Sequence, residues 1–341
     1  MPPLIASYFE ERTKAQLDNN ETASFVYKIL MNSFYGVLGS PGCRYGRTEL
    51  AGAITSFGRM WLEFSRDFFE SEGYRVLYGD TDSVFVETAI PDGSGSDYSA
   101  LSTLGKDLAA RLNQAIAAKI RTDYELESHL SIRCEKAYSR FLIPRMRAAG
   151  RVLSGSQAHS GRGTAREDHD LNRGRAKGYA GSNQNPDGSM NLEVKGMEAA
   201  RSDWTPLARR FQTELLGLVF DYRPPAEINK WMEKIAQELR TGSLDTELVY
   251  RKSLRRPAEA YEHHETPQIR AARLAGWTTQ KGRIDYVMTI AGAEPLGHIQ
   301  HPIDHEHYIQ HQLIPIWHSI ADAAGIISSN TAFNSQHELQ F

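Results

Sequence analysis

Tyr78-Gly79-Asp80-Thr81-Asp82-Ser83 is the stretch that decides the fold. Apolar, β-favouring runs flank it, Val76-Leu77-Tyr78 before and Val84-Phe85-Val86 after. Gly and Asp between two such runs mark a tight β-hairpin. Two carboxylates two residues apart on a hairpin suit a hard divalent cation. Mg²⁺ takes oxygen donors and is commonly held by one or two protein carboxylates together with substrate phosphates. A pair of such ions can clamp the attacking and leaving oxygens of a phosphoryl transfer. An Asp-rich turn with no chemistry has the same triplet, because Asp favours turns for local hydrogen-bonding reasons. The Tyr-Gly before it and the Ser-Val-Phe after it tip the reading toward the metal-binding pair.

Upstream, Leu50, Ile54, Phe57, Trp61, Phe64 and Phe68 recur at spacings of four and three, one face of a helix that ends at Gly73. That face reads as buried core. Before it, one helix from about Leu4 to Leu17 is broken by Asp18-Asn19-Asn20. A second follows from about Ala23 to Leu38, with Thr22 as its expected cap, and stops at Gly39-Ser40-Pro41-Gly42. Downstream come a loop at Pro91–Ser96, a helix from about Leu101 to Ile120, and strands near Ser131–Cys134 and Tyr138–Ile143. Residues 148–174, rich in Gly, Ser, Arg and His without periodicity, read as a mobile loop. Beyond Trp204 the pattern is mostly helical, with an irregular stretch from Pro257 to Pro302.

The bulk properties narrow the class. In 341 residues, 40% hydrophobic and 24% charged is ordinary for a soluble globular chain. No apolar run approaches the ~18 to 20 residues of a membrane helix. Met1-Pro2-Pro3-Leu4 lacks the basic and apolar regions of a signal peptide. Cys43 and Cys134 fit no zinc spacing and suit a reducing compartment. A formal net charge of -3 does not advertise nucleic-acid binding, so the position of the charge matters more than its sum. From Lys136 to Lys177 ten cations face three anions, and a second basic group holds Arg251, Lys252, Arg255 and Arg256, followed by Arg270, Arg273, Lys281 and Arg283. Such groups contact phosphates without reading sequence. His301/His305 and His307/His311 are each four apart, but without an HExxH pattern they read as polar helix surface rather than a metal site.

A second signature lies upstream of the hairpin, Lys28-Ile29-Leu30-Met31-Asn32-Ser33-Phe34-Tyr35-Gly36. Lys28 and Asn32, four apart, share one helix face. This stretch and Tyr78–Ser83, in this order, resemble the KxxxNSxYG helix and the YGDTDS hairpin of family B DNA polymerases, most nearly the bacterial polymerase II branch. The resemblance continues through Glu135–Pro144, Lys177–Gly181, Lys195–Trp204, Arg255-Arg256-Pro257 and Pro267–Leu274, and so covers nearly the whole chain.

The resemblance implies an α+β fold in three parts. These are a helical fingers hairpin over residues 1–42, an antiparallel-sheet palm with the catalytic hairpin over 43–204, and a mostly helical thumb over 205–341. It implies template-directed nucleotidyl transfer from deoxynucleoside triphosphates to a primer 3′-hydroxyl, with Mg²⁺ in a two-metal site. Asp80 and Asp82 are the implied catalytic and metal-binding residues, Asp82 the principal one. Arg12, Lys28, Asn32 and Tyr35 are the implied nucleotide-binding set. Gly36, Lys177, Tyr179, Lys195, Arg201, Arg255, Arg256 and Arg270 are the implied DNA contacts. Cytoplasmic location, primer-template DNA and a sliding clamp follow from the same resemblance.

Three departures stand out. Gln16 occupies the place of a lysine four residues after the fingers arginine. The KKxY element reads Ala176-Lys177-Gly178-Tyr179. No DxxSLYPS motif, which supplies the family's further metal-binding aspartate, occurs in the chain. The expectation is a polymerase that is incomplete without an N-terminal half; the alternative is a DNA-binding remnant that grips primer-template without catalysis.

Overall fold

A computed structural model describes residues 2–44, 46–88, 98–144, 177–184, 190–261 and 265–326. The loop expected at Pro91–Ser96 and the basic loop at 148–174, with its arginines, lie outside these residues. The fold is mixed α+β with three small antiparallel sheets. The chain forms two compact units: Met1–Pro91 with Lys106–Arg133, and Asp92–Gly105 with Cys134–Phe341.

The first unit opens with helices α1 (Pro2–Leu17) and α2 (Glu21–Gly39), which pack as a hairpin through Tyr8 against Tyr27 and Phe34. Asn19, at φ 53°, makes the reversal, a left-handed conformation that Asn tolerates. Asn20, not Thr22, caps α2: its side chain accepts from the Ala23 backbone N–H at 3.0 Å. Thr22 falls inside the first turn, where a hydroxyl cannot serve as the flanking acceptor.

Helix α3 (Thr48–Ser71) and the hairpin β1 (Arg75–Asp80) and β2 (Ser83–Glu87) follow, then α4 (Tyr98–Tyr124), which belongs to this unit from Lys106 onward. Arg111 of α4 pairs with Glu72, Lys119 lies over the Phe64 ring, and Tyr124 meets Phe57 and Met60. These contacts make α3 and α4 antiparallel. They also correct the reading of the α3 stripe as buried core throughout. Leu50, Ile54 and Phe57 are 46%, 48% and 49% exposed. Helix α4 ends at Tyr124, opposite Phe57, so the first turns of α3 run on past the end of their neighbour. The expected strand at Ser131–Cys134 is absent too; Ile132 satisfies its backbone through the Asn113 side chain, donating at 2.8 Å and accepting at 2.7 Å.

The second unit holds a sheet of β3 (Arg140–Leu142), β4 (Tyr179–Gln184) and β5 (Met190–Lys195). Helices α5 (Pro206–Phe220) and α6 (Pro225–Arg240) contribute to its largest core, with Phe211 stacked on Trp231 and Trp317 fully buried. The stretch from Pro257 to Pro302 is not irregular. It carries α7 (Pro267–Leu274), β7 (Gly282–Thr289) and β8 (Gly292–Pro295), which with β6 (Tyr250–Leu254) make a sheet in the order β6-β7-β8. Ile284 and Tyr286 face α7, yet Val287 and Thr289 are buried as well. A strand buried on both sides loses the alternation by which strands are recognised.

The chain's last described helices are α8 (His305–Tyr308) and α9 (Ile314–Ala321), joined by a π-helical turn at Ile309–Leu313. Histidines in α8 and just before it act as tethers. His301 pairs with Glu294 at 2.5 Å, His305 with Asp245 at 2.7 Å, and His307 with the Tyr250 hydroxyl at 3.1 Å. Burial, then the neighbouring His311, push the pKa of His307 down to about 4 from an ordinary 6.5. Between these two values the unfolded chain takes up a proton that the folded chain refuses, so stability falls as pH falls through that window. Melting temperature measured from pH 7 down to 4 is expected to drop less steeply in His307→Gln than in the wild type.

Candidate functional site

The hairpin β1–β2 closes with Asp80 opposite Ser83, so Thr81 and Asp82 alone form the turn. Thr81 sits at φ 56°, an outlier region for a β-branched side chain. The Asp82 N–H donates to the Asp80 carbonyl at 2.6 Å, which folds the tip into a three-residue turn. Strained backbone of this kind costs of order ~1–3 kcal/mol and clusters at functional sites. Each carboxylate accepts from a neighbouring hydroxyl: Asp80 from Thr81 at 3.0 Å, Asp82 from Ser83 at 3.3 Å. Tyr78 and Phe85 pair across the strands with ring centroids 5.7 Å apart, and Arg75 and Glu87 pair at the far end. A Cβ at Gly79 would touch Leu62 of α3 at 3.6 Å. Gly79 thus faces the helix, and by strand alternation Tyr78 and Asp80 face away from it.

The helix-borne candidates lie in the same unit on other elements. Lys28, Asn32 and Tyr35 follow one another at i, i+4 and i+7 on α2, all exposed, and a Cβ at Gly36 would meet open space. Arg12 on α1 is half-buried, with its Nε out of solvent and without a hydrogen-bond partner.

The remaining candidates belong to the second unit and fall in two groups. Tyr179 stands opposite Lys195 in the β4–β5 register, and Lys177 lies two residues before Tyr179. Arg201 makes a bidentate pair with Asp203 at 2.9 Å, and Lys252 of β6 reaches the same carboxylate at 2.7 Å. The Arg201 hydrogen bonds, outweighing partial burial and joined by Lys252, hold the Asp203 carboxyl well below the usual carboxylate range. Arg255 and Arg256 follow β6 directly and are exposed. Arg270 of α7 lies against the β7–β8 turn, where a Cβ at Gly292 would come within 2.9 Å of its guanidinium.

The sequence counts Lys136 and Lys252 among its basic groups but did not disclose Glu193, Tyr138 or the Lys252–Asp203 pair. The signal for Glu193 was the period-two pattern Met190-Asn191-Leu192-Glu193-Val194-Lys195, which sets Glu193 and Lys195 on one strand face.

Among the described residues no group of three or more His, Cys, Asp or Glu side chains is placed to hold a metal ion. Asp80 and Asp82 are therefore a two-carboxylate set. Its oxygen donors suit Mg²⁺, which retains waters and substrate phosphates in its shell.

The profile of DNA polymerase family B matches residues 4–154, which contain the hairpin and its supporting helices. DNA polymerase II of Escherichia coli is 35% identical over 326 residues, 93% of this chain and 38% of that protein. The chain belongs to DNA polymerase family B. A DNA polymerase of Thermococcus gorgonarius is 24% identical over 351 residues, 95% of this chain and 39% of that protein. The solved family B DNA polymerase of Pyrobaculum calidifontis superposes with a TM-score of 0.53 at 22% identity, over 96% of this chain and 37% of that one. At that identity the likeness concerns the fold. The chain thus spans a minority of the length of the family B polymerases it matches. No helix among its described residues is long and apolar enough to cross a membrane.

Proposed function

We propose that this chain carries the fingers (1–42), the C-terminal part of the palm (43–204) and the thumb (205–341) of a template-directed DNA polymerase, and that it works with an N-terminal half. The observation that carries the reading is the strained two-residue turn that presents Asp82, with Asp80 at the strand end that closes it. Both aspartates would hold Mg²⁺. When bound, the metal supplies charge stabilisation at the transferring phosphoryl group and activation of the primer hydroxyl. Arg12, Lys28, Asn32 and Tyr35 serve the incoming deoxynucleoside triphosphate, where a fixed cation offsets phosphate charge that develops during transfer. Gly36, Lys177, Tyr179, Lys195, Arg201, Arg255, Arg256 and Arg270 serve the primer-template duplex.

Two features support dependence on a partner half. Among the described residues Asp80 and Asp82 form a set of two carboxylates, and the family resemblance implies a further one. The first unit, the smaller of the two, also carries sixteen of the twenty-one exposed large hydrophobic side chains among the described residues. That concentration in one unit supports a partner that covers it.

Primer extension with Mg²⁺ and all four triphosphates, run beside a gel shift, tests the reading. The chain alone is expected to bind primer-template without extending it, and to extend it once the upstream polymerase segment is added. Binding with no extension in the reconstituted mixture would favour the non-catalytic DNA-binding reading. Extension by the chain alone would refute the need for a partner.

A further inference from the structure

The outer face of the β3-β4-β5 sheet carries a row of aromatic rings, Tyr138, Phe141 and Tyr179, with centroids 5.9 and 5.4 Å apart along the row. An anion lies in the middle of this face. Glu193 stands opposite Gly181 in the β4–β5 register, and the Tyr138 ring covers Gly181 so closely that a Cβ there would overlap it. Both Glu193 oxygens accept from Lys136 Nζ at 2.6 Å, one accepts from the Tyr138 hydroxyl at 2.9 Å, and Lys195 Nζ lies 3.2 Å from the other. The two lysines are half exposed, at 50% and 54%, while Glu193 is 24% exposed. Burial alone raises the Glu193 pKa, but its three donors outweigh that and hold it ionised below its ordinary range.

Exposed ion pairs contribute little to folding, commonly ~0–1 kcal/mol. Stability is therefore a weak reason to place one carboxylate between two lysines on an aromatic face. Its larger effect is electrostatic and external. Aromatic rings and lysines are the groups that meet nucleic acid, and a carboxylate among them cancels charge that phosphates would otherwise find. We propose that Glu193 is a positioning residue that brakes the grip of this face on duplex DNA, holding Lys136 and Lys195 so that backbone phosphates must compete with a carboxylate for both ammonium groups. The inference rests on the duplex-gripping part of the proposed function. It assigns to Glu193, Lys136 and Tyr138 a part in setting how tightly the duplex is held.

The test is fluorescence anisotropy of a labelled primer-template duplex with the full chain, titrated over a range of salt. Glu193→Gln keeps the side-chain size and an oxygen acceptor for Tyr138 while removing the charge. It is expected to bind several-fold more tightly at low salt. Its affinity should fall about tenfold further than the wild type's between roughly 50 and 200 mM salt, the increment of two added phosphate contacts. Adding Lys136→Met to Glu193→Gln should remove one of the two contacts and cut the excess to about threefold. A salt slope unchanged from the wild type, or weaker binding at low salt, would overturn the brake and leave Glu193 a scaffold residue. If the wild type does not bind the duplex at all, the gripping reading of this face fails and the brake fails with it. Wild-type binding with an unaltered slope in Glu193→Gln sinks the brake alone.

Discussion

Asp82→Ala is expected to abolish primer extension in the reconstituted mixture, a loss of roughly a thousandfold or more, while duplex binding and melting temperature stay at wild-type values. The size follows from the role: removing a metal ligand forfeits charge stabilisation of about 4 kcal/mol in the transition state, and each ~1.4 kcal/mol is a factor of ten. The absence of a folding effect follows from the place. Asp82 is exposed at the tip of a two-residue turn and accepts only a 3.3 Å bond from Ser83. Surface substitutions of this kind stay within about 0.5 kcal/mol. Asp80→Ala is expected to cost less activity, because the family resemblance makes it the lesser ligand. Extension at the wild-type rate by Asp82→Ala would show that this carboxylate holds no catalytic metal.

The parts of the fold that the sequence disclosed are those fixed by local chemistry. The Val-Leu-Tyr and Val-Phe-Val runs around Gly79–Ser83 demanded a hairpin, and from Asp80↔Ser83 to Tyr78↔Phe85 its register is the one the turn length dictates, before a bulge between Val76 and Tyr78 shifts it by one residue. The helix pair at the start was legible from its punctuation, although the cap fell to Asn20, because the boundary of α2 lies two residues earlier than its apolar pattern suggests. The failures share one cause, which is that periodicity names a face and not its cover. The α3 stripe is one continuous face in sequence, yet Leu50, Ile54 and Phe57 are exposed because α4 stops at Tyr124. Strand β7 escaped notice for the opposite reason, since burial on both sides erased its alternation. For the candidate site the limit was distance along the chain. Glu193 could be set beside Lys195 from sequence, but its bonds to Lys136 and Tyr138 span 57 and 55 residues and exist only once β3, β4 and β5 are assembled.

Gly196→Ala is expected to be the most damaging substitution of a single methyl group in the second unit. Gly196 follows Lys195 at the end of β5 and adopts φ +61°, where an L side chain costs about 1–2 kcal/mol. A Cβ there would also overlap the carbonyl oxygen of Lys177, which itself sits at φ 63°, and would crowd the Cα of Gly178. These obstacles are backbone atoms, so no rotamer change relieves them. The start of β4 would have to move away from the end of β5, breaking the Tyr179–Lys195 register pair. The combined penalty should reach about 3 kcal/mol or more, and for a domain of this size each ~1 kcal/mol lowers the melting temperature by about 2–4 °C. Calorimetry should therefore show a fall of roughly 6–12 °C, and duplex affinity should drop with it, because Lys177, Tyr179 and Lys195 lose their common frame. Gly217→Ala is the matching control. Gly217 lies within α5, and a Cβ there meets nothing within 4 Å, so the substitution should be neutral or stabilise by up to about 1 kcal/mol. Equal melting temperatures for the two variants would mean that the approach of Gly196 to Lys177 does not constrain the sheet.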